Sequence, residues 1–129
     1  MHLAALALAA CLAASLAVGP ALAAPLARDA ADAVDVVLTL QGHRFTPASV
    51  TVPAGRPIRI ELINLDAASE EFDSQDMDVE QDVTPHGRAR FTIGPLKPGT
   101  YSFMGELHAD TASGEFKVVE APAPTSFGR

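Results

Sequence analysis

Tryptophan is absent from this chain, tyrosine and cysteine each occur once, and nine basic residues stand against sixteen acidic ones. Each shortage excludes something. Binding a nucleic-acid backbone needs a stripe of Lys and Arg, and a formal charge of -7 presents the opposite field. A single cysteine, Cys11, cannot close an internal disulfide, so no bridge staples the fold. Also missing are a Ser or Cys nucleophile with a suitably spaced base, a phosphate-cradling glycine loop, and a helix to carry a His-Glu-x-x-His site, which leaves hydrolase chemistry without footing. A length of 129 residues suits one domain, whose core must rely on Phe, Val, Ile and Leu.

The one long apolar run lies at the N-terminus. Leu3 to Val18 is followed by the breaker Gly19-Pro20 and then by Ala21-Leu22-Ala23, the small-x-small pattern a signal peptidase reads. This predicts a signal peptide over residues 1–23, export to the periplasm, a flexible leader over 24–33, a domain over 34–120 and a disordered Pro-rich tail over 121–129. The run is shorter than the ~20 apolar residues of a spanning helix. Leu8-Ala9-Ala10-Cys11 resembles a lipobox, so a lipoprotein anchored at Cys11 is the alternative; the apolar sequence continuing beyond Cys11 argues against it. No Lys or Arg precedes the run, which points to a true start codon upstream of Met1. Cleavage after Ala23 would remove the lone cysteine and all thiolate chemistry with it.

Beyond the leader the punctuation is that of a β-protein. Val34 to Leu40 is rich in β-branched residues, and Arg56 to Asn64 alternates, with Ile58, Ile60 and Leu62 on one face and Arg59 and Glu61 on the other. Val50–Val52, Arg90–Ile93, Tyr101–Phe103 and Glu115–Val119 add short strands. Pro53-Ala54-Gly55, Gly94-Pro95 and Pro98-Gly99 are turn sequences that separate them. About seven short strands in roughly 100 residues predict an antiparallel sandwich or small barrel. Phe45, Phe72, Phe91, Tyr101, Phe103 and Phe116 are the large core candidates.

The charge is unevenly spread. Nine acidic residues and no Lys or Arg lie from Glu61 through His86. A solvated loop is one explanation; pinned carboxylates that attract a cation are another. Asp76, Asp78 and Glu80 mimic the first ligands of a calcium-binding EF-hand, but Gln81 replaces the required glycine and Gly87 falls where the bidentate Glu belongs. Further on, Tyr101 to Gly114 sets Met104, Glu106, His108 and Asp110 between two strands, where a loop can direct several side chains to one point.

In order and spacing, Phe45-x-Pro47, Val52-Pro53-Ala54-Gly55, Asn64-x-Asp66, Glu70-Glu71-Phe72, Gly94-Pro95-Leu96-x-Pro98-Gly99-x-Tyr101-x-Phe103 and His108-x-x-Thr111-Ala112-x-Gly114 resemble the cupredoxin-like domains of the EfeO type. The resemblance extends to small periplasmic proteins encoded with bacterial ferrous-iron permeases and covers about Val34 to Val119. It implies an all-β fold, an antiparallel Greek-key β-sandwich. It also implies ligand positions: Glu70 occupies that of the first copper-binding His, Gly105 that of the Cys, His108 that of the second His, and Ala112 or Ser113 that of the Met. Without the thiolate a type 1 copper centre is excluded.

The implied metal ligands are therefore Glu70 and His108, with Glu106, Asp73, Asp110, Met77, Met104 or His43 as additions. Imidazole with carboxylate suits Cu(II), iron, Zn or Mn, and thioether favours Cu(I). Met77 and Met104 also read as core fillers and His43 as a strand-end surface residue, while Glu71 should point away from Glu70 if that segment is extended. His86, before Gly87 in a turn, is assigned no role. The expected function is periplasmic binding of copper, iron or both in aid of ferrous-iron uptake, by delivery or by Fe(II) oxidation. The implied partners are an inner-membrane iron permease and its periplasmic companion. The alternative is a metal-free β-sandwich module that docks through its acidic loop. Intact-mass analysis of the exported protein is expected to find a chain beginning at Ala24 or Pro25; a lipidated Cys11 or a retained N-terminus would overturn this.

Overall fold

The computed structural model describes residues 32–121. The expected signal peptide, the lipobox at Cys11, residues 24–31 of the leader and 122–129 of the tail lie outside the described residues. Nine strands follow one another: β1 (Val34–Gln41), β2 (Arg44–Thr46), β3 (Ser49–Pro53), β4 (Ile58–Asn64), β5 (Glu70–Ser74), β6 (Val79–Val83), β7 (Arg88–Ile93), β8 (Gly99–Gly105) and β9 (Ser113–Val119), with a short 3-10 turn, Glu106–His108, between the last two. Among the described residues no helix is long and apolar enough to cross a membrane.

Two sheets, β2-β1-β4-β7 and β3-β9-β8-β5-β6, form an all-β sandwich. The alternation along β4 does what its sequence requires: Ile58, Ile60 and Leu62 are buried and Arg59 is exposed. The strands are not all antiparallel. β1 runs parallel to β4, and β3 parallel to β9, so both sheets are mixed. The connections explain this. A tight hairpin turns β1 back into β2, and the chain then passes Pro47 and Ala48 into the second sheet as β3. The reversal at Pro53–Gly55 brings β4 back alongside β1 in the same direction.

The core is centred on Phe103. Its ring stacks on Phe72 at 4.9 Å, meets Phe45 edge-on at 5.1 Å and lies 5.4 Å from Phe116, all four being buried. Phe91 packs against Phe72 at 5.1 Å, and Phe91 and Tyr101 are partly buried at the margin of the cluster. Leu38, Leu40, Ile58, Ile60 and Leu62 fill the other half of the interior.

The acidic segment is a hairpin rather than a loop. Glu70–Ser74 pairs with Val79–Val83, and burial alternates so that Glu70, Phe72 and Ser74 face inward and Glu71 and Asp73 outward. The apolar residues at Phe72 and Val83 hold it to the core, so Glu71, Asp73, Glu80 and Asp82 line the outer face while Glu70 is buried. Register sets Glu71 opposite Asp82 and Asp73 opposite Glu80. No ion pair among the described residues reaches these four. The arginines sit on the other sheet, where Arg59 grips Asp35 through two bonds of 2.7 and 3.0 Å and Arg88 and Arg90 share Glu61.

Phe103→Ala is expected to lower stability by about 3–5 kcal/mol, as truncation of a fully packed aromatic does. Val37→Ala, which removes an apolar side chain that is 54% exposed, should stay within about 0.5 kcal/mol. Urea unfolding monitored by circular dichroism compares the two.

Candidate metal centre

At one end of the sandwich three chain segments converge. The first is the turn joining β1 to β2. Its register pairs Gln41 with Arg44, leaving Gly42 and His43 as a two-residue loop, and both have positive φ, 61° and 55°. That is the requirement of a type I′ hairpin, which matches the twist of the flanking strands. Glycine meets it freely, whereas His43 needs outside support. Asp66 supplies it: its carboxylate accepts the Gly42 amide at 2.7 Å and the His43 amide at 2.9 Å, and lies 3.6 Å from His43 Nδ1.

The second segment is the β4–β5 connection that carries Asp66. Asn64, wholly buried, organises it by donating from Nδ2 to the carbonyls of Ala68 and Thr84 and accepting the Asp66 amide on Oδ1. The His86 amide donates to the Asp66 carbonyl at 3.0 Å, so the part His86 plays here is through its backbone. Hydrogen bonds from the amides of His43 and then Gly42 hold the Asp66 carboxyl below its ordinary value, and the nearby imidazoles of His43 and His108 add to this.

The connection ends in Glu70, whose side chain turns into the sandwich and is 1% exposed. Its Oε1 accepts the amides of Leu107 at 2.9 Å and Glu71 at 3.0 Å. Its Oε2 lies 2.6 Å from Nδ1 of His108. His108 comes from the third segment, the 3-10 turn after β8, which is closed by bonds from the Ala112 amide to the His108 carbonyl and from the Gly105 amide to the Ala112 carbonyl. The His108 ring stacks on His43 at 3.7 Å with 13° between the planes. His43, Glu70 and His108 each offer a donor atom within 4.8 Å of the others.

Of the residues named as ligands or as additions to them, the structure brings Glu70, His108 and His43 together and leaves five outside this group. Asp73 lies on the outer face of β5, and Met104 on the outer face of β8, where it is 41% exposed. Met77 sits in the β5–β6 turn, packed partly against the core with its amide on Ser74 Oγ. Asp110 is exposed in the turn beyond His108. Glu106 is exposed beside Glu71, whose carboxyl is pushed up by partial burial and by the charges of Glu106, Asp82 and Glu80. The third member of the group, His43, is in sequence only one of the additions and reads equally as a strand-end surface residue. A Gly-His pair between an apolar strand and Arg44-Phe45 was the available sign of its hairpin turn.

The family model for the cupredoxin-like domain matches residues 3–118. The chain belongs to the cupredoxin-like domain family. It is 41% identical over 81 residues to the uncharacterized protein RP394 of Rickettsia prowazekii (strain Madrid E), covering 63% of this chain and 65% of the relative, so the chain spans less than two thirds of that protein's length. Solved cupredoxin-like folds resemble it at lower identity. The metal binding domain of the Cu(I) exporting P-type ATPase CopA of Streptococcus pneumoniae D39 superposes with a TM-score of 0.62 at 14% identity, over 69% of this chain and 88% of that one. Auracyanin A, a blue copper protein of Chloroflexus aurantiacus, gives 0.59 at 15% identity, over 67% and 99%. At such identities the likeness is one of fold.

Because the folded-state pKa of Asp66 is depressed, its contribution to stability is complete above the unfolded value of about 4 and is lost as pH falls through the folded one. Asp66→Asn is therefore expected to be less stable than wild type at pH 7, with the gap narrowing below about pH 4. Urea midpoints at pH 7 and pH 3 measure it; a gap independent of pH would contradict the assignment.

Proposed function

We propose that this chain is a periplasmic metal-binding protein that holds its ion with His43, Glu70 and His108 and assists ferrous-iron uptake. The observation that carries the reading is the convergence of two imidazoles and one buried carboxylate from three separate segments. Two nitrogen donors and one oxygen donor suit Cu(II), iron or Zn(II), and the lack of a thiolate among them excludes blue-copper electron transfer. The imidazoles would bind through ring nitrogens and Glu70 through Oε2, since Oε1 already accepts two amides. A bound first-row ion would supply Lewis-acid or one-electron chemistry at an edge where both rings reach solvent. Copper is named for the relatives in fold, and the Phe45 to Gly114 motifs resemble the EfeO type; together these favour copper or iron handling for an inner-membrane iron permease and its periplasmic companion. Delivery of the ion is the binding form of the role; the enzymatic form, oxidation of Fe(II), would require bound Cu(II) as the one-electron acceptor.

One observation favours a metal-free reading. Glu70 has hydrogen-bond partners on both oxygens without any ion, and no buried side-chain polar atom among the described residues lacks a partner. The sandwich would then act as an interaction module through the acidic outer face of the β5–β6 hairpin.

Calorimetric titration with Cu(II), Fe(III), Mn(II) and Zn(II) separates the two. His108→Ala and His43→Ala are each expected to weaken the preferred ion by tenfold or more, about 1.4 kcal/mol, and His86→Ala to leave it unchanged. Protons compete with metal for imidazole, so affinity should also fall on acidification. Equal effects of His108→Ala and His86→Ala would remove this centre, and no heat with any of the four ions would favour the interaction module.

A further inference from the structure

Gly105 ends β8 opposite Phe72 and immediately precedes the turn that carries His108. Its backbone is extended, with φ -90° and ψ 107°, a conformation open to any L-residue. Backbone freedom therefore does not account for a glycine here. Space does. A Cβ at this position would lie 2.6 Å from Cδ and 2.9 Å from Oε1 of Glu70, and 2.8 Å from Cβ of Ala112. Contacts below 3.0 Å are ones that real Cβ atoms essentially never make.

Glu70 cannot easily yield. Oε1 is held by the amides of Leu107 and Glu71, Oε2 is held on His108 Nδ1, and the side chain is walled in on the inner face of β5. Moving the carboxylate away from position 105 would break these bonds inside a site where an unpartnered carboxylate is costly.

We infer that Gly105 is the residue that determines the donor set of this centre: the carboxylate at position 70 is held where it is because position 105 has no side chain. A side chain at 105, a thiol included, and the present placement of Glu70 exclude one another sterically. The lack of a side chain at 105 and the inward placement of the carboxylate at 70 are thus a single structural choice, which leaves oxygen and nitrogen as the donors of this centre. The consequence for metal affinity rests on the metal-binding reading above; the steric exclusion does not.

The test uses the whole chain and two backgrounds that differ in size but lie at the same position. Gly105→Ala is made in wild type, in Glu70→Asp, whose carboxylate is withdrawn by one methylene, and in Glu70→Gln, which has the same length as Glu70. Urea midpoints without added metal are expected to show a clear loss from Gly105→Ala in wild type and in Glu70→Gln, and a markedly smaller loss in Glu70→Asp. Where Gly105→Ala alone does not fold, recovery of folded protein in the Glu70→Asp background and not in Glu70→Gln is the same result. An equal loss in all three backgrounds, including failure of all to fold, overturns the inference. Cu(II) alone is then the probe for the donor set: Gly105→Ala should bind it at least tenfold more weakly than wild type, and unchanged affinity would refute the role of Gly105 in metal choice. Should wild type bind no Cu(II), the metal-binding reading fails while the stability comparison still decides the exclusion.

Discussion

A carboxylate sealed from water inside a β-sandwich must find its hydrogen-bond partners within the protein, and Glu70 finds them on two pieces of chain at once. The Glu71 amide comes from its own strand, the Leu107 amide and the His108 ring from the turn beyond β8, and the room it occupies from the missing side chain of Gly105. Each of these depends on β5 lying beside β8 in the register that sets Phe72 against Gly105. Slipping that register by one residue would exchange Glu70 for Glu71 on the inner face and dismantle the site.

The second half of the centre is reached from the opposite sheet. His43 belongs to the β1–β2 hairpin, and what brings its ring against His108 is the clamp that Asp66 applies to both turn amides. Asp66 is itself placed by Asn64, a buried amide with all its partners in the β4–β5 and β6–β7 connections. The centre therefore couples the two sheets at one end of the sandwich through polar contacts, while Phe103 and its aromatic neighbours couple them through the interior. Loops at the end of a rigid sandwich are where such constellations are commonly built, because the strands hold them in place without having to supply the chemistry.

Charge is partitioned in the same way. The first sheet carries Arg59, Arg88 and Arg90 outside, each engaged with Asp35 or Glu61. The β5–β6 hairpin of the second sheet carries Glu71, Asp73, Glu80 and Asp82 with like charges opposite one another, an arrangement that costs stability. The Glu71 carboxyl is raised first by partial burial and then by the charges of Glu106, Asp82 and Glu80. Along the edge strand β6 the same charges discourage pairing with another chain, a common protection for exposed sheet edges.

Much of the fold was legible from local pattern. The alternation of Ile58, Ile60 and Leu62 and the Pro-Gly turn sequences announce strands and reversals, because period-two burial and permitted φ are properties of short segments. Glu70 and His108 stood out through motif spacing. His43 did not, since nothing near it in sequence shows that Asp66 will hold its turn in register with the 3-10 turn beyond β8. The acidic segment read as a loop because its charge count hides the inward set of Glu70, Phe72 and Ser74, which only pairing with β6 and β8 makes plain. Strand direction was equally out of reach, as parallel pairing of β1 with β4 follows from a crossover between sheets and leaves no mark on either strand. What the amino-acid sequence determined by itself was an all-β, acidic chain with no thiolate in its domain, because those are matters of composition and short-range periodicity. Which carboxylate is buried, which imidazoles meet it, and why residue 105 must be glycine were decided by tertiary structure, because they depend on distances between segments that the chain brings together only by folding.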